Sequence, residues 1–248
     1  MTKTKQKALL LISGGIDSPV AGYMMQKTFG ELAKEKALNN EIEIIALHFS
    51  LEPFSDNSAE LKSKKIAKLL GIKKFITVTN GTQQAELTKK CDHRYYYILQ
   101  RRLFLRTAER IANEIDKYLN LGNKKSSKEE SRKDKEKYIH RSECKYLITG
   151  DNLGQVGSQT LKNMEVISKA VDIEILRPIL TNDKNDTMKL AREIGTYELS
   201  LGPEMCSILG PKNPATTSTL EKIEAEEKKV DIQKMICNSL ESIKIEEL

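Results

Sequence analysis

Cysteine is scarce and scattered: Cys91, Cys144, Cys206 and Cys237 stand far apart and no C-x-x-C pair occurs. That spacing argues against a zinc ribbon or a simple iron–sulfur frame. A disulfide scaffold does not suit a chain of 248 residues. No apolar run approaches the roughly 18 residues of a membrane helix. The N-terminal MTKTKQK runs directly into an apolar stretch rather than a secretory leader. A cytoplasmic location with no membrane partner is the resulting expectation. The Gly-rich stretch near the N-terminus contains no lysine, which excludes the G-x-x-x-x-G-K-[ST] loop. Its glycine spacing also does not fit G-x-G-x-x-G.

What is present suits a folded domain with a real core: 39% hydrophobic and 31% charged residues, in a length that fits one large or two small domains. The net charge of +6 is uneven, because residues 123–141 hold eight Lys/Arg and four Asp/Glu, a local balance of +4. Two readings of that basic segment stay open, a phosphate-backbone contact and a solvated low-complexity insert.

The run LLISGGIDSPVAGY at 10–23 carries the most information. Apolar residues 8–12 read as a buried strand, Ser13-Gly14-Gly15 as a tight turn, and the residues from Ser18 onward as a helix. Strand, Gly-rich turn and helix converge backbone N–H groups on one point, the geometry of an anion cradle. Gly14 and Gly15 permit the close backbone approach, and Ser13 and Ser18 add hydroxyls. Further strands are expected at 41–49, 74–78, 146–149 and 173–176. Helical spacing occupies 18–38, 57–70, 96–120, 158–171 and 183–194. The expectation is an α/β fold: a mostly parallel sheet of about five strands with helices on both faces, and sites at the carboxyl ends of the strands. Residues 218–248 read as one amphipathic helical tail, which leaves 1–217 as the main domain with a charged insert at 122–142.

Two later stretches are dense in hydrogen-bonding groups, TGDNLGQVGSQTL at 149–161 and PEMCSILGPKNPATT at 203–217. RRLFLRTAERIA at 101–112 offers helical arginines. SGGIDS resembles the pyrophosphate (PP) loop of ATP pyrophosphatases. With LHF at 47–49, ILRPI at 175–179 and the DK…LAREIGTYELS run at 183–200, the chain resembles the catalytic PP-loop domain of the tRNA 4-thiouridine synthetase, or tRNA sulfurtransferase, family over nearly its whole length.

The resemblance implies an adenine nucleotide alpha-hydrolase-like fold and use of ATP and Mg²⁺. It also implies adenylation of a tRNA uridine carbonyl, with sulfur then displacing AMP. Position by position, it implies nucleotide contacts at Leu11, Ile12, Ser13, Gly14, Gly15, Ser18, His48, Phe49, Arg101, Gly150 and Gln159. Asp17 is the expected catalytic residue, through Mg²⁺ or loop geometry, with an N-cap as its plain structural alternative. Cys206 is the one cysteine considered for sulfur chemistry, against a buried structural thiol. Positions where some family members carry a cysteine pair correspond here to Tyr97 and Gln100. The family's THUMP and rhodanese modules do not match this sequence. The expected partners are therefore tRNA, a separate sulfur donor (sulfide or a persulfide protein), a separate THUMP-type RNA-binding protein and a second copy of the chain. Adenylation of another RNA base or a small molecule, or an inactive ATP-binding subunit, are the alternatives.

Overall fold

The computed structural model describes residues 6–35, 42–122, 144–202 and 208–248. Among them six strands form one sheet: β1 (Gln6–Leu11), β2 (Ile42–Ser50), β3 (Lys74–Thr79), β4 (Cys144–Ile148), β5 (Glu174–Leu176) and β6 (Lys244–Glu247). Their order is β5-β4-β1-β2-β3-β6, and every pairing is parallel except β3 with β6. The expected mostly parallel α/β sheet is present with one strand more than anticipated. The addition is the antiparallel edge strand β6, KIEE, with one half-buried residue among exposed ones. Four residues at an edge carry too little alternation to be read as a strand.

Because side chains alternate across a strand, each strand supplies both faces. Ala8, Leu10, Ile44, Ala46 and Phe75 face one layer, where α1 (Asp17–Lys34), α2 (Ser58–Leu69) and α7 (Lys184–Glu193) pack through Val20, Ala21, Phe29, Ile66 and Ala191. Leu9, Ile45, Leu47, Ile76 and Val78 face the other, beneath α4 (Tyr96–Asn113) and α6 (Leu161–Ser168). Continuous apolar runs such as ALLLI are what a strand covered on both sides requires.

Two helix expectations are corrected. The pattern over 96–120 divides at Glu114 into α4 and α5 (Ile115–Gly122). The tail is not one helix but α9 (Leu220–Glu227), α10 (Ile232–Glu241) and β6. Thr219 and Asp231 cap the two tail helices through their side chains, so a stop and a restart are written into the sequence. The polar helix α3 (Gly81–Lys90) gives no apolar period, because its buried face is Gly81, Gln83, Gln84 and Leu87. The short helix α8 (Tyr197–Ser200) completes the set among the described residues.

The strand order determines where a ligand can sit. The chain lays β2 and β3 to one side of β1, then returns to place β4 and β5 on the other. The β1/β4 boundary is thus a topological switch point, where loops leave in opposite directions and open a crevice at the carboxyl edge.

The tail is tied to this frame by a buried ion cluster. Arg102 on α4 is 1% exposed. It donates to Glu227 of α9 (Nε–Oε1 2.8 Å, Nη2–Oε2 3.0 Å) and to the Val166 carbonyl of α6, and Arg106 donates to the same carboxylate. Burial alone would push the Glu227 carboxyl up, but the Arg102 and Arg106 guanidiniums outweigh it and hold the group below its ordinary range. Removing one member leaves buried charge under-compensated. Arg102→Met is expected to cost roughly 3–5 kcal/mol in urea unfolding. The Arg102→Met/Glu227→Met pair should cost less than the sum of its single changes; full additivity would show that the cluster is not a unit.

Candidate functional site

The phosphate-loop candidate leaves β1 at the switch point. Ile12 is still held in the sheet, its N–H donating to the Leu47 carbonyl at 2.9 Å. The chain then turns through Gly14, whose φ of +77° is a left-handed conformation that favours glycine. The Ser13 N–H donates to Ser18 Oγ (3.2 Å), and Ser13 Oγ accepts from the Gly15 N–H (3.4 Å). These bonds curl the loop over the start of α1. The N-cap position is Ile16, with no side-chain capping bond, and Asp17 is the first helical residue. The N-cap alternative for Asp17 and Ser18 therefore does not apply. Ser18 instead ties the loop's two ends together.

Gly150, directly after β4, packs against this turn. A Cβ there would lie 2.6 Å from the Ser18 backbone nitrogen and 2.8 Å from the Asp17 carbonyl carbon, so only glycine fits without movement. The first and second motifs, with Ser18 and Gly150 132 positions apart in sequence, thus meet backbone to backbone across the switch point.

The next residue, Asp151, is 4% exposed and gathers cations. Its carboxylate accepts from Arg101 of α4, from Arg177 Nε (3.0 Å) and from Thr149 Oγ1 (2.8 Å). Arg177 also donates to Ser168 Oγ at 2.9 Å, and burial lowers its pKa from the usual guanidinium value. Asn152 Nδ2 donates to the carbonyls of Ile179 (3.0 Å) and Asn182 (2.7 Å), which anchors this loop to the ILRPI segment. Arg101 therefore stands beside the phosphate loop, on a network that sequence reading recognised only as a polar loop. Arg177 and Asp151 were findable as opposite charges in quoted motifs, but their pairing exists only in the fold.

His48 and Phe49 end β2 beside the loop, and their settings differ. His48 is 3% exposed. Its Nδ1 lies 2.9 Å from the Ile12 carbonyl and 3.3 Å from Ser63 Oγ, a bridge from β2 to the residue that opens the loop. Burial lowers its pKa, which keeps the ring neutral. Phe49 stacks on Phe104 of α4, ring centroids 4.2 Å apart and planes within 5°. Phe104 lies three residues after Arg101, on the same helix face. Leu11, half-buried, and Ile12, buried, complete the floor.

Gln159 closes a 3-10 turn at Gly157–Gln159. The side-chain Oε1 of Gln159 and Nε2 of Gln155 are both buried with no hydrogen-bond partner among the described residues. Orphaned amide atoms at a loop of this kind suit an incoming polar ligand. The turn is also stitched to the third motif. Asn163 Nδ2 donates to the Gly157 and Ala215 carbonyls (2.8 and 3.0 Å), Thr160 Oγ1 to the Thr216 carbonyl (2.8 Å), and Ser218 Oγ to Asn163 Oδ1 (2.7 Å). His93 Nε2 contacts the Leu209 carbonyl at 2.8 Å. Cys206 and nearly all of the 122–142 insert lie outside the described residues. Cys91 and Cys144 are buried thiols whose pKa values burial pushes up to about 11 and about 12, consistent with unreactive structural roles. Arg102, next to Arg101, belongs to the tail cluster and neither faces solvent nor reaches this site.

A doubly wound sheet with a lysine-free phosphate loop at its switch point defines a PP-loop domain. Comparison with known proteins narrows that class. The family model for the thiamine biosynthesis protein ThiI matches residues 3–120 and 130–232, and the chain belongs to that family. It is 35% identical over 251 residues to a probable tRNA sulfurtransferase of Alkaliphilus oremlandii, covering 99% of this chain and 54% of the relative. It is 33% identical over 245 residues to one of Moorella thermoacetica, covering 96% and 53%. The fold superposes on a crystal structure of a 4-thiouridine synthetase–RNA complex with bound ATP, with a TM-score of 0.74 and 31% identity, over 97% of this chain and 55% of that one. The chain thus spans about half the length of the relatives it matches. No described helix is long and apolar enough to cross a membrane.

The His48 bridge has a pH consequence. Its folded pKa lies below the ordinary 6.5. The unfolded chain therefore binds the proton first, and the contribution to stability, complete above pH 6.5, is lost as pH falls through the window beneath it. Urea midpoints between pH 7.5 and 5 are expected to fall for the wild type and to fall less steeply for His48→Gln. Parallel pH curves for the two proteins would remove His48 as the cause.

Proposed function

We propose that this domain binds ATP at the β1/β4 switch point and adenylates a uridine carbonyl of tRNA, as the activating half of tRNA thiolation. The observation that carries the reading is the junction of the phosphate loop with Gly150–Asp151 and Arg101. It sets a backbone cradle and a guanidinium around one crevice, in a chain whose named relatives are probable tRNA sulfurtransferases.

The proposed assignments join the family resemblance to this geometry. The backbone of Ser13, Gly14 and Gly15, with the Ser18 hydroxyl, cradles phosphate. Leu11, Ile12 and Phe49 line the adenosine side, and His48 holds the Ile12 carbonyl in place. Gly150 keeps the two loops in register, and Gln159 offers an unpartnered amide oxygen to the nucleotide. Arg101 balances charge that develops on the transferring phosphate.

Mg²⁺ fits the donor set in a limited sense. The described residues contain no group of three or more metal-ligating side chains. Mg²⁺ accompanying a nucleotide needs only one or two carboxylates besides phosphate oxygens, and Asp17 at the loop is the carboxylate for that role. The ion supplies neutralisation of phosphate charge.

The chemistry balances as two substitutions. The uridine carbonyl oxygen forms a bond to the α-phosphorus of ATP as the bond to pyrophosphate breaks. Hydrosulfide from a separate donor then bonds to the ring carbon, and AMP leaves with the oxygen. Where the donor is a persulfide, its terminal sulfur makes that bond and a second thiol then cleaves the S–S bond, leaving as a disulfide with the donor. Adenylation is needed because a uracil oxygen alone is a poor leaving group. Binding of a separate THUMP-type protein and pairing of two copies of the chain are further parts of the proposal, as ways to present tRNA. Cys206 is retained as a proposed sulfur-handling residue.

Pyrophosphate release from ATP and Mg²⁺ is the direct test, with and without unmodified tRNA. Release is expected to require tRNA and to fall on the order of 100-fold or more in Asp17→Ala. Release indifferent to tRNA, or undiminished in Asp17→Ala, would overturn the assignment.

A further inference from the structure

The phosphate loop has no lysine of its own, yet one stands against it in space. Gly14 rests on the first turns of α2. A Cβ on Gly14 would lie 3.1 Å from the Ala59 carbonyl oxygen, 3.3 Å from Ser63 Oγ and 3.4 Å from Lys62 Cβ. Lys62 therefore leaves its helix at the loop. Its far end lies beside a second glycine: the Lys62 Nζ is 2.9 Å from where a Cβ on Gly202 would sit, and its Cε 3.6 Å. Gly202 follows α8, whose last residue, Ser200, donates its hydroxyl to the Gly15 carbonyl at 3.3 Å. The lysine stem thus spans from the outer side of the phosphate loop to the segment that buttresses it.

The ammonium is uncommitted there. Lys64, two residues along α2, sits between Glu60 (2.7 Å) and Glu246 (2.5 Å). Lys62 is half-buried and makes neither an ion pair nor a side-chain hydrogen bond among the described residues. A partly desolvated cation without a counter-charge is unfavourable unless an anion arrives to pair with it. Sequence reading passes over this residue, because Lys62 lies in a lysine-rich helix 48 positions beyond Gly14 and looks like an ordinary solvated face.

We propose that Lys62 is a nucleotide-binding residue that supplies, from α2, the ammonium this phosphate loop lacks, and that it pairs with the phosphate chain of ATP. This rests on the reading of the crevice as an ATP site. Lys62 and Arg101 then form two cationic poles on either side of the loop. Arg101 is held by Asp151, and Lys62 is left open for substrate. A lysine acts at phosphate as a mobile point charge rather than a planar fork, which suits a pole reaching over a loop from outside.

The test is calorimetric titration of wild type, Lys62→Met and Lys62→Arg with ATP, inorganic pyrophosphate and adenosine, with thermal melts to confirm equal folding. Lys62→Met should bind ATP and pyrophosphate roughly ten-fold or more weakly, with adenosine affinity unchanged. Lys62→Arg should recover most of the loss, and the dependence of ATP affinity on salt should be shallower in Lys62→Met. Unchanged ATP and pyrophosphate affinity in Lys62→Met would overturn the proposal. Equal weakening for adenosine would also overturn it, because that is the mark of a structural role. If the wild type binds no ATP, the nucleotide reading itself fails. The pyrophosphate titration then still decides whether Lys62 serves an anion at this loop.

Discussion

Gly150 lies against the first turn of α1, closer than any side chain would allow, and the rest of the carboxyl edge takes its positions from that contact. The approach brings the end of β4 within backbone distance of the turn after β1. Asp151 follows one residue later. With its place fixed, its carboxylate can collect Arg101, Arg177 and Thr149. Arg101 comes from α4 on one face of the sheet, and Arg177 from the segment after β5. One buried carboxylate thus ties a helix, a sheet edge and the phosphate loop together. Such a charge cluster is costly to assemble and specific once assembled, because each member is left under-compensated if another moves.

The same helix carries a second cluster with a different task. Arg102, Arg106 and Glu227 hold the tail helix α9 onto α4, and Arg102 also bonds to the Val166 carbonyl of α6. Adjacent residues on α4 therefore serve different partners. Arg101 points to the crevice and Arg102 into the protein. The tail contributes to the site indirectly, by fixing the helix from which Arg101 and Phe104 project.

Much of this was legible in the chain. The apolar runs of β1 and β2 and the alternation of strands with helices imply a mostly parallel sheet covered on both faces, and that is the fold; the SGGIDS turn stands at its carboxyl edge. The limits were physical. Helix α3 buries glutamines, so it has no hydrophobic period. The strand β6 is too short for a period of two and earns its pairing only from β3. His48 reads as a contact residue, and the fold adds a bond from its Nδ1 to the Ile12 carbonyl that no local pattern announces. Lys62 was hidden because α2 holds four lysines, at 62, 64, 65 and 68, and nothing local separates the one at the loop from those in solvent.

By itself the sequence determined the local conformations and the inventory of chemistry. Glycine at 14 lets the backbone turn left-handed, continuous apolar strands demand cover on both faces, and the phosphate loop, the polar turn and the helical arginines are all present as strings. Only the tertiary structure decided which groups face one another. It joined Gly150 to Ser18 across 132 positions, committed Asp151 to Arg101 and Arg177, turned Arg102 inward, and left Lys62, whose stem starts beside Gly14, without a counter-charge among the described residues. The reason is that charge pairing and steric contact depend on distances through space. In a sheet whose strand order reverses at β1, those distances are set by topology rather than by position along the chain.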